Sequence, residues 1–223
     1  MSNIILVTGP ELAPAAAKFV TDHGYTTVHT PPYADSAHIA ALLQDTQARG
    51  IVSRMGRLDA AIMDVAPQLR VISKHGVGVD NIDLQAAADR GIQVLVATGA
   101  NAVSVAEHAI ALLLACAKQI LPLDDGLRAG RWEKPGFSGR EIAGETMGLM
   151  GMGSIAQATG RIARSLGLNL IGYDPFAPDA VFEDLGVTRC ATFENLLSQS
   201  NILSLHCPLT DQTRQIINVS SLI

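Results

Sequence analysis

Cysteine is scarce in this chain. Cys116, Cys190 and Cys207 are odd in number, far apart and outside any Cys-x-x-Cys spacing, which argues against a disulfide framework and offers no zinc-ligand pattern. A reducing, cytoplasmic location is the expectation. An export leader is lacking too: Met-Ser-Asn followed by the short apolar run Ile4 to Val7 has neither the basic start nor the long apolar stretch of a signal peptide. The longest apolar stretch, Ala102 to Leu121, is interrupted by Glu107, His108 and Lys118, which are costly in a bilayer without a dedicated role. It reads as a buried helix of a soluble protein, and no membrane partner is expected. Positive charge is in deficit: a formal net charge of -5 makes a surface that does not attract polyanions, so nucleic acid is not an expected partner. Low-complexity segments and fixed-period repeats are missing as well.

The 223 residues present are 48% hydrophobic and 17% charged, enough for two modest domains with separate cores. Short β-branched runs alternate with helical patterns from the first residues onward: Ile4–Thr8, Leu12–Asp22, Thr26–Thr30, Asp35–Gln47, Ile51-Val52, Asp59–Val65 closed before Pro67, Arg70–Lys74, Asp83–Arg90 and Gln93–Val96. That is α/β organisation, a parallel sheet with helices on both faces. Ala97-Thr98-Gly99-Ala100 breaks the pattern before a long helix that Asn101 could cap. The expected domains are therefore residues 1–99 and 100–223. Asp124 to Glu145, polar and rich in Gly and Pro, reads as a connecting segment. A second series follows: strand Thr146–Met150, helix Ser154–Leu166, strand Asn169–Tyr173, helix Pro178–Leu185, strand Val187–Arg189, helix Phe193–Gln199 and strand Ile202–Leu205. The fold class expected is two Rossmann-like, doubly wound parallel-sheet domains, the second incomplete.

The sharpest local signal is Gly148-Leu149-Met150-Gly151-Met152-Gly153-Ser154-Ile155-Ala156, where a strand runs through Gly-x-Gly-x-x-Ala into a helix. A dinucleotide pyrophosphate needs this arrangement: Gly151 permits the tight turn, Gly153 allows close backbone approach, and the helix start presents free N–H groups. Ala156 serves as the small third residue. The next strand ends at Tyr173-Asp174, about twenty residues after Gly153, where a carboxylate can accept hydrogen bonds from the adenosine ribose. A carboxylate there repels a 2′-phosphate, and no Arg directly follows it, so NAD is favoured over NADP. A second constellation, Lys74-His75-Gly76-Val77-Gly78-Val79-Asp80-Asn81, follows a strand; its glycines could turn consecutive N–H groups inward as a nest for an anion, or form an ordinary βα turn. Arg54, after Ile51-Val52-Ser53, is an anion contact or a solvated surface charge.

Taken together these residues resemble the D-isomer-specific 2-hydroxyacid dehydrogenase family. Val71 through Asp83 is similar to its substrate loop. Asn101 through Ala111, with Ser104-Val105-Ala106-Glu107-His108, resembles the opening of its interdomain helix. Gly130-Arg131-Trp132, the dinucleotide motif ending in Tyr173-Asp174-Pro175, and His206-Cys207-Pro208-Leu209-Thr210 with Thr213 follow in the family's order. The resemblance covers the whole chain and is closest to the phosphoglycerate dehydrogenase branch. It implies NAD as cofactor, with Gly151, Gly153, Ser154 and Ile155 at the pyrophosphate, Asp174 at the ribose, and His206, Cys207, Pro208 and Thr213 in the cofactor cleft. It implies a 2-hydroxy or 2-oxo acid substrate, with Val77 and Gly78 offering N–H groups to its carboxylate, Asn101 nearby, and Arg54 and Lys74 where the phosphoglycerate branch commonly carries cations. Lys74 replaces a more usual Arg and cannot form the same bidentate fork.

The resemblance further implies hydride transfer at C2 of a D-2-hydroxy acid, a homodimer through the Ala102–Leu121 helix and the segment of Trp132, and a catalytic Arg, Glu and His beyond Ile223. The chain thus reads as truncated at its C-terminus and inactive by itself as a dehydrogenase. His108 is expected to be a partly buried structural histidine and His206 a cofactor-cleft residue, neither being the proton carrier. A competing expectation is a non-catalytic protein of the same fold that senses NAD(H), in the manner of a corepressor.

Overall fold

The structure, a computed structural model, describes residues 3–132 and 134–221. The chain divides into two compact units, Met1–Ala100 and Asn101–Ile223.

The first unit alternates strand and helix. Its strands are β1 (Ile4–Thr8), β2 (Thr26–His29), β3 (Gly50–Ser53), β4 (Val71–Lys74) and β5 (Gln93–Val96). Its helices are α1 (Pro14–Asp22), α2 (Ser36–Thr46), α3 (Ala60–Asp64) and α4 (Leu84–Asp89). Their starts are written in the sequence: Pro14 opens α1 where its missing N–H costs nothing, and Asp35, Asp59 and Asp83 accept from the backbone N–H groups of His38, Ile62 and Ala86. The strands are parallel, in the order β2-β1-β3-β4-β5. Leu6, Ile39, Leu43, Ile51, Leu58, Ile62 and Ile72 form the core, each contributing roughly 1.5–3 kcal/mol by its burial. Strand order reverses direction at β1 and β3, which opens a crevice at their C-terminal ends.

The second unit begins with α5 (Ala102–Ala117) and α6 (Ile120–Arg128) and continues through β6 (Thr146–Met150), α7 (Ser154–Ser165), β7 (Asn169–Tyr173), α8 (Asp179–Leu185), β8 (Thr188–Arg189), α9 (Phe193–Gln199) and β9 (Ile202–Leu205). Its sheet is parallel in the order β8-β7-β6-β9, so the direction of winding reverses between β6 and β9. Met147, Leu149, Leu170, Phe182 and Leu185 fill the core on one side of that sheet, while Met150, Ile171, Cys190 and Leu196 cluster separately.

The single helix expected over Ala102–Leu121 is two helices bent by 64°. Pro122 explains the break, since its ring would clash with the carbonyl of Lys118 and it has no N–H to offer there. The chain escapes through Gln119 in the left-handed region, φ 51°, and the connection is secured when Gln119 Nε2 donates to Ser138 O (3.1 Å) and Lys118 Nζ to Arg140 O (2.8 Å). The segment read as connecting from Asp124 therefore begins inside α6, and a short 3-10 turn, Lys134–Gly136, lies within it.

Three further expectations for this region need correction. Asn101 stands at the start of α5 but makes no side-chain capping bond, and its Oδ1 is buried without a partner among the described residues. The helix is buried on one face only: Ala102, Ala106 and Ile110 are enclosed, while Val103 and Leu112 are exposed. His108, expected to be partly buried, is exposed because it falls on the open face. Among the described residues no single helix is long and apolar enough to cross a membrane; α5 and α6 pass such a test only as the bent pair.

Candidate cofactor and substrate sites

In the second unit β6 delivers Gly151 to the point where winding reverses. Gly151 has φ +86°, and a Cβ there would lie 2.9 Å from Cys207 N and His206 C, so any side chain is excluded twice. Its N–H donates to Tyr173 O at 2.8 Å. Gly153 has an ordinary φ of -68° and open space where a Cβ would point, so its smallness serves access and not folding. Ser154 and Ile155 open α7. Among the described residues the N–H groups of Gly153, Ser154 and Ile155 make no hydrogen bond, leaving a cluster of donors at the positive end of a helix. Ala156 is fully buried against the sheet.

Asp174 is more engaged than its place in the sequence suggests. Oδ2 accepts from Met152 N (2.8 Å), and Oδ1 accepts from Phe176 N (2.8 Å) and Ala177 N (3.1 Å). The carboxylate thus clasps the glycine turn to the turn after β7, and one acceptor position on Oδ2 remains for a ribose hydroxyl. The backbone carbonyl of Asp174 accepts from Arg189 Nη2 (3.0 Å), whose guanidinium pairs with Asp179 and lies over Phe182.

A cavity of about 490 Å³ opens beside these groups, lined by Gly151, Gly153, Asp174, Phe176, His206, Cys207, Pro208 and Thr213 among others. Its lining is mostly apolar with few polar groups, as a nucleoside site requires. Burial lowers the His206 pKa, holding the ring neutral, and its Nε2 is 2.9 Å from Ser204 Oγ. Burial, reinforced by Asp174, pushes the Cys207 thiol up, so it remains a thiol and no nucleophile. Thr213 Oγ1 donates to Pro208 O (2.6 Å) and accepts from Thr210 N (2.8 Å), closing the loop that shapes the cavity wall. The residues present fit a dinucleotide: a glycine turn open to approach, unpaired donors, a carboxylate with a remaining acceptor and an apolar cavity.

In the first unit the crevice end of the sheet gathers Arg54, Lys74, Val77 and Gly78. Arg54 Nη1 donates to the carbonyls of Pro10 and Glu11, both at 2.7 Å, and its N–H donates to Thr8 Oγ1, so the residue braces the loop after β1. Lys74 is half-buried and its Nζ donates to Asn81 Oδ1 at 2.8 Å. Gly76 takes φ +124°, and the N–H groups of Val77 and Gly78, both exposed, make no hydrogen bond among the described residues. That is a pair of available donors at a strand's C-terminal end. Asn101 belongs to the second unit.

Two contributors escaped the sequence reading. Phe176 is 88% exposed at the cavity rim; an apolar residue after Asp174-Pro175 in a turn was the available signal. Asn81 was visible within the glycine motif, but its partners Ser53 and Gly56 come from another strand's end, which no local pattern reveals.

Residues 110–223 match the D-isomer specific 2-hydroxyacid dehydrogenase, NAD binding domain, family. The chain belongs to this family, and its second unit carries the family's NAD-binding domain. It is 41% identical over 172 residues to a hydroxypyruvate reductase of Thermotoga maritima, covering 77% of this chain and 55% of that protein. It is 37% identical over 214 residues to a D-3-phosphoglycerate dehydrogenase of Methanocaldococcus jannaschii, covering 96% of this chain and 40% of that protein. Among solved structures, an NAD-dependent formate dehydrogenase from Staphylococcus aureus in complex with NAD is similar with a TM-score of 0.82 at 25% identity, over 98% of this chain and 69% of that one. The chain spans about half or less of the length of these two curated relatives.

Proposed function

We propose that this chain carries the acid-recognition and cofactor-binding parts of an NAD-dependent D-2-hydroxyacid dehydrogenase. The carrying observation is the second unit's site: unpaired N–H groups at Gly153, Ser154 and Ile155, the Asp174 carboxylate with one acceptor left, and an apolar cavity between them. NAD, when bound, supplies the hydride acceptor or donor. Gly151 shapes the turn, Gly153, Ser154 and Ile155 hold the pyrophosphate, Asp174 orients the ribose and disfavours a 2′-phosphate, and His206, Cys207, Pro208 and Thr213 wall the cleft.

The first unit, residues 1–99 in this reading, recognises the 2-hydroxy or 2-oxo acid. Val77 and Gly78 donate to its carboxylate, Lys74 offers positive charge, and Arg54 fixes the loop beside them. The named relatives point to hydroxypyruvate or 3-phosphoglycerate as substrates. A homodimer through α5, α6 and the Trp132 segment is part of the proposal. It is supported by Leu121 at 74% and Trp132 at 71% exposure, and by an apolar pocket lined by Leu123, Leu127 and Phe137. A reducing cytoplasm fits the three free cysteines.

One observation supports a second reading, an NAD(H)-sensing binding protein: among the described residues no histidine lies within hydrogen-bond reach of a carboxylate, so none of these residues forms a proton-transfer pair. Calorimetric titration of the 223-residue chain with NAD and NADP, beside an assay of NADH consumption with hydroxypyruvate, tests both. NAD binding above NADP without turnover is expected; equal affinity for the two cofactors refutes the role of Asp174, and rapid turnover refutes the binding-protein reading.

A further inference from the structure

Asn81 is committed on every side of its amide. Nδ2 donates to Gly56 O (2.6 Å) and Ser53 Oγ (3.2 Å), while Oδ1 accepts from Lys74 Nζ (2.8 Å). Its backbone carbonyl accepts from Leu58 N (2.8 Å), and Leu58 in turn bridges Ile82. One residue thus ties the loop after β3 to the loop after β4. The amide cannot be reversed: a flip would set oxygen against the Gly56 carbonyl and NH₂ against an ammonium. Its orientation is dictated by its partners.

What matters chemically is that this acceptor is neutral. An ammonium has three donors, and Asn81 takes one without cancelling the charge. An aspartate would neutralise Lys74, at the cost of setting its second oxygen against the Gly56 carbonyl where Nδ2 now donates. Of the carboxylates in these loops, Asp59 accepts from Ile62 N and Ser36 Oγ, Asp83 accepts from Ala86 N, and Asp80 sets its Oδ1 beside Gly78 and not on Lys74. Among the described residues none pairs with Lys74.

We infer that Asn81 is a positioning residue that holds the Lys74 ammonium at the C-terminal edge of the first sheet as an uncompensated charge for an anionic group of the substrate. This rests on the proposal that the first unit recognises the acid.

Two measurements on the 223-residue chain test it separately. Trace acetylation by acetic anhydride at pH 8, quantified at Lys74 by mass spectrometry, reports the ammonium without any substrate. Asn81→Asp is expected to slow that labelling about fivefold, the effect of pairing a part-exposed charge; unchanged labelling overturns the inference. Inorganic phosphate, titrated while the backbone amide signals of Val77 and Gly78 are followed by NMR, reports the anion site. Both Lys74→Gln and Asn81→Asp are expected to weaken phosphate binding by about fivefold. If Lys74→Gln has no effect, the acid-recognition reading falls and this inference with it. If Lys74→Gln weakens binding and Asn81→Asp does not, only the role of Asn81 is overturned. Should Asn81→Asp unfold the chain, Asn81→Ala removes the anchor without adding charge. It is expected to weaken phosphate binding while leaving labelling unslowed, and wild-type affinity in that variant refutes the positioning role.

Discussion

Replacing Gly151 and Gly153 by alanine, one at a time, separates what folding needs from what cofactor binding needs. At Gly151 the φ of +86° costs an L-residue about 1–2 kcal/mol. The new methyl would also meet Cys207 N and His206 C at 2.9 Å, both backbone atoms that cannot swing aside. Such overpacking costs about 1–3 kcal/mol, so the sum is roughly 2–5 kcal/mol. For a chain of this size each kcal/mol moves Tm by about 2–4 °C, which predicts a fall of about 4–20 °C for Gly151→Ala. At Gly153 the φ of -68° suits alanine and nothing lies within 4 Å of the added carbon. The loss there is only the poorer helix start, under about 1 kcal/mol. Its methyl, however, stands where the backbone must approach the pyrophosphate, and NAD affinity should fall by more than about tenfold. Thermal unfolding by circular dichroism and calorimetric titration with NAD measure the two effects on the same samples. A Gly151→Ala protein as stable as the parent, or a Gly153→Ala protein that binds NAD undiminished, refutes the division of labour.

Other substitutions probe the remaining parts. Asp174→Ser combined with Pro175→Arg should narrow the preference for NAD over NADP, read from the ratio of dissociation constants. It should also lower Tm by several degrees, since three N–H groups lose a charged acceptor worth roughly 1–3 kcal/mol in all. Burial lowers the His206 pKa below its ordinary 6.5, so its protonation favours the unfolded chain. The stability it permits is complete above about pH 6.5 and is lost as pH falls towards and through the folded-state pKa. Urea unfolding at pH 8 and pH 5.5 should show a smaller loss for His206→Gln than for the parent; identical losses would argue against this. Trp132→Glu with Leu127→Glu should convert a dimer to a monomer in light scattering without lowering the Tm of the isolated chain, and a parent already monomeric at micromolar concentration removes the dimer proposal.

Alternation of short β-branched runs with helical periods was enough to place strands and helices in both units, because each element's local propensity agrees with its burial: Ile4–Thr8, Thr146–Met150 and Asn169–Tyr173 are strands as read. The helical runs read from Asp35, Asp59 and Asp83 begin where those aspartates cap α2, α3 and α4, a cap being a contact over three residues. The glycine turn was legible too, since its geometry is imposed by neighbours in sequence. Gln119 was not, because the break there depends on Pro122 and on anchors at Ser138 and Arg140 that the chain reaches only after a further turn. Nor could sequence say that Gly151 is packed against His206 and Cys207 while Gly153 faces open space; the reversal of winding between β6 and β9 decides that. The same holds for charge. Arg54 and Lys74 are alike as letters at strand ends, yet folding spends one on the carbonyls of Pro10 and Glu11 and leaves the other on a neutral amide. Hydrogen-bond partners distant in sequence are set by strand order, and strand order is a property of the assembled sheet.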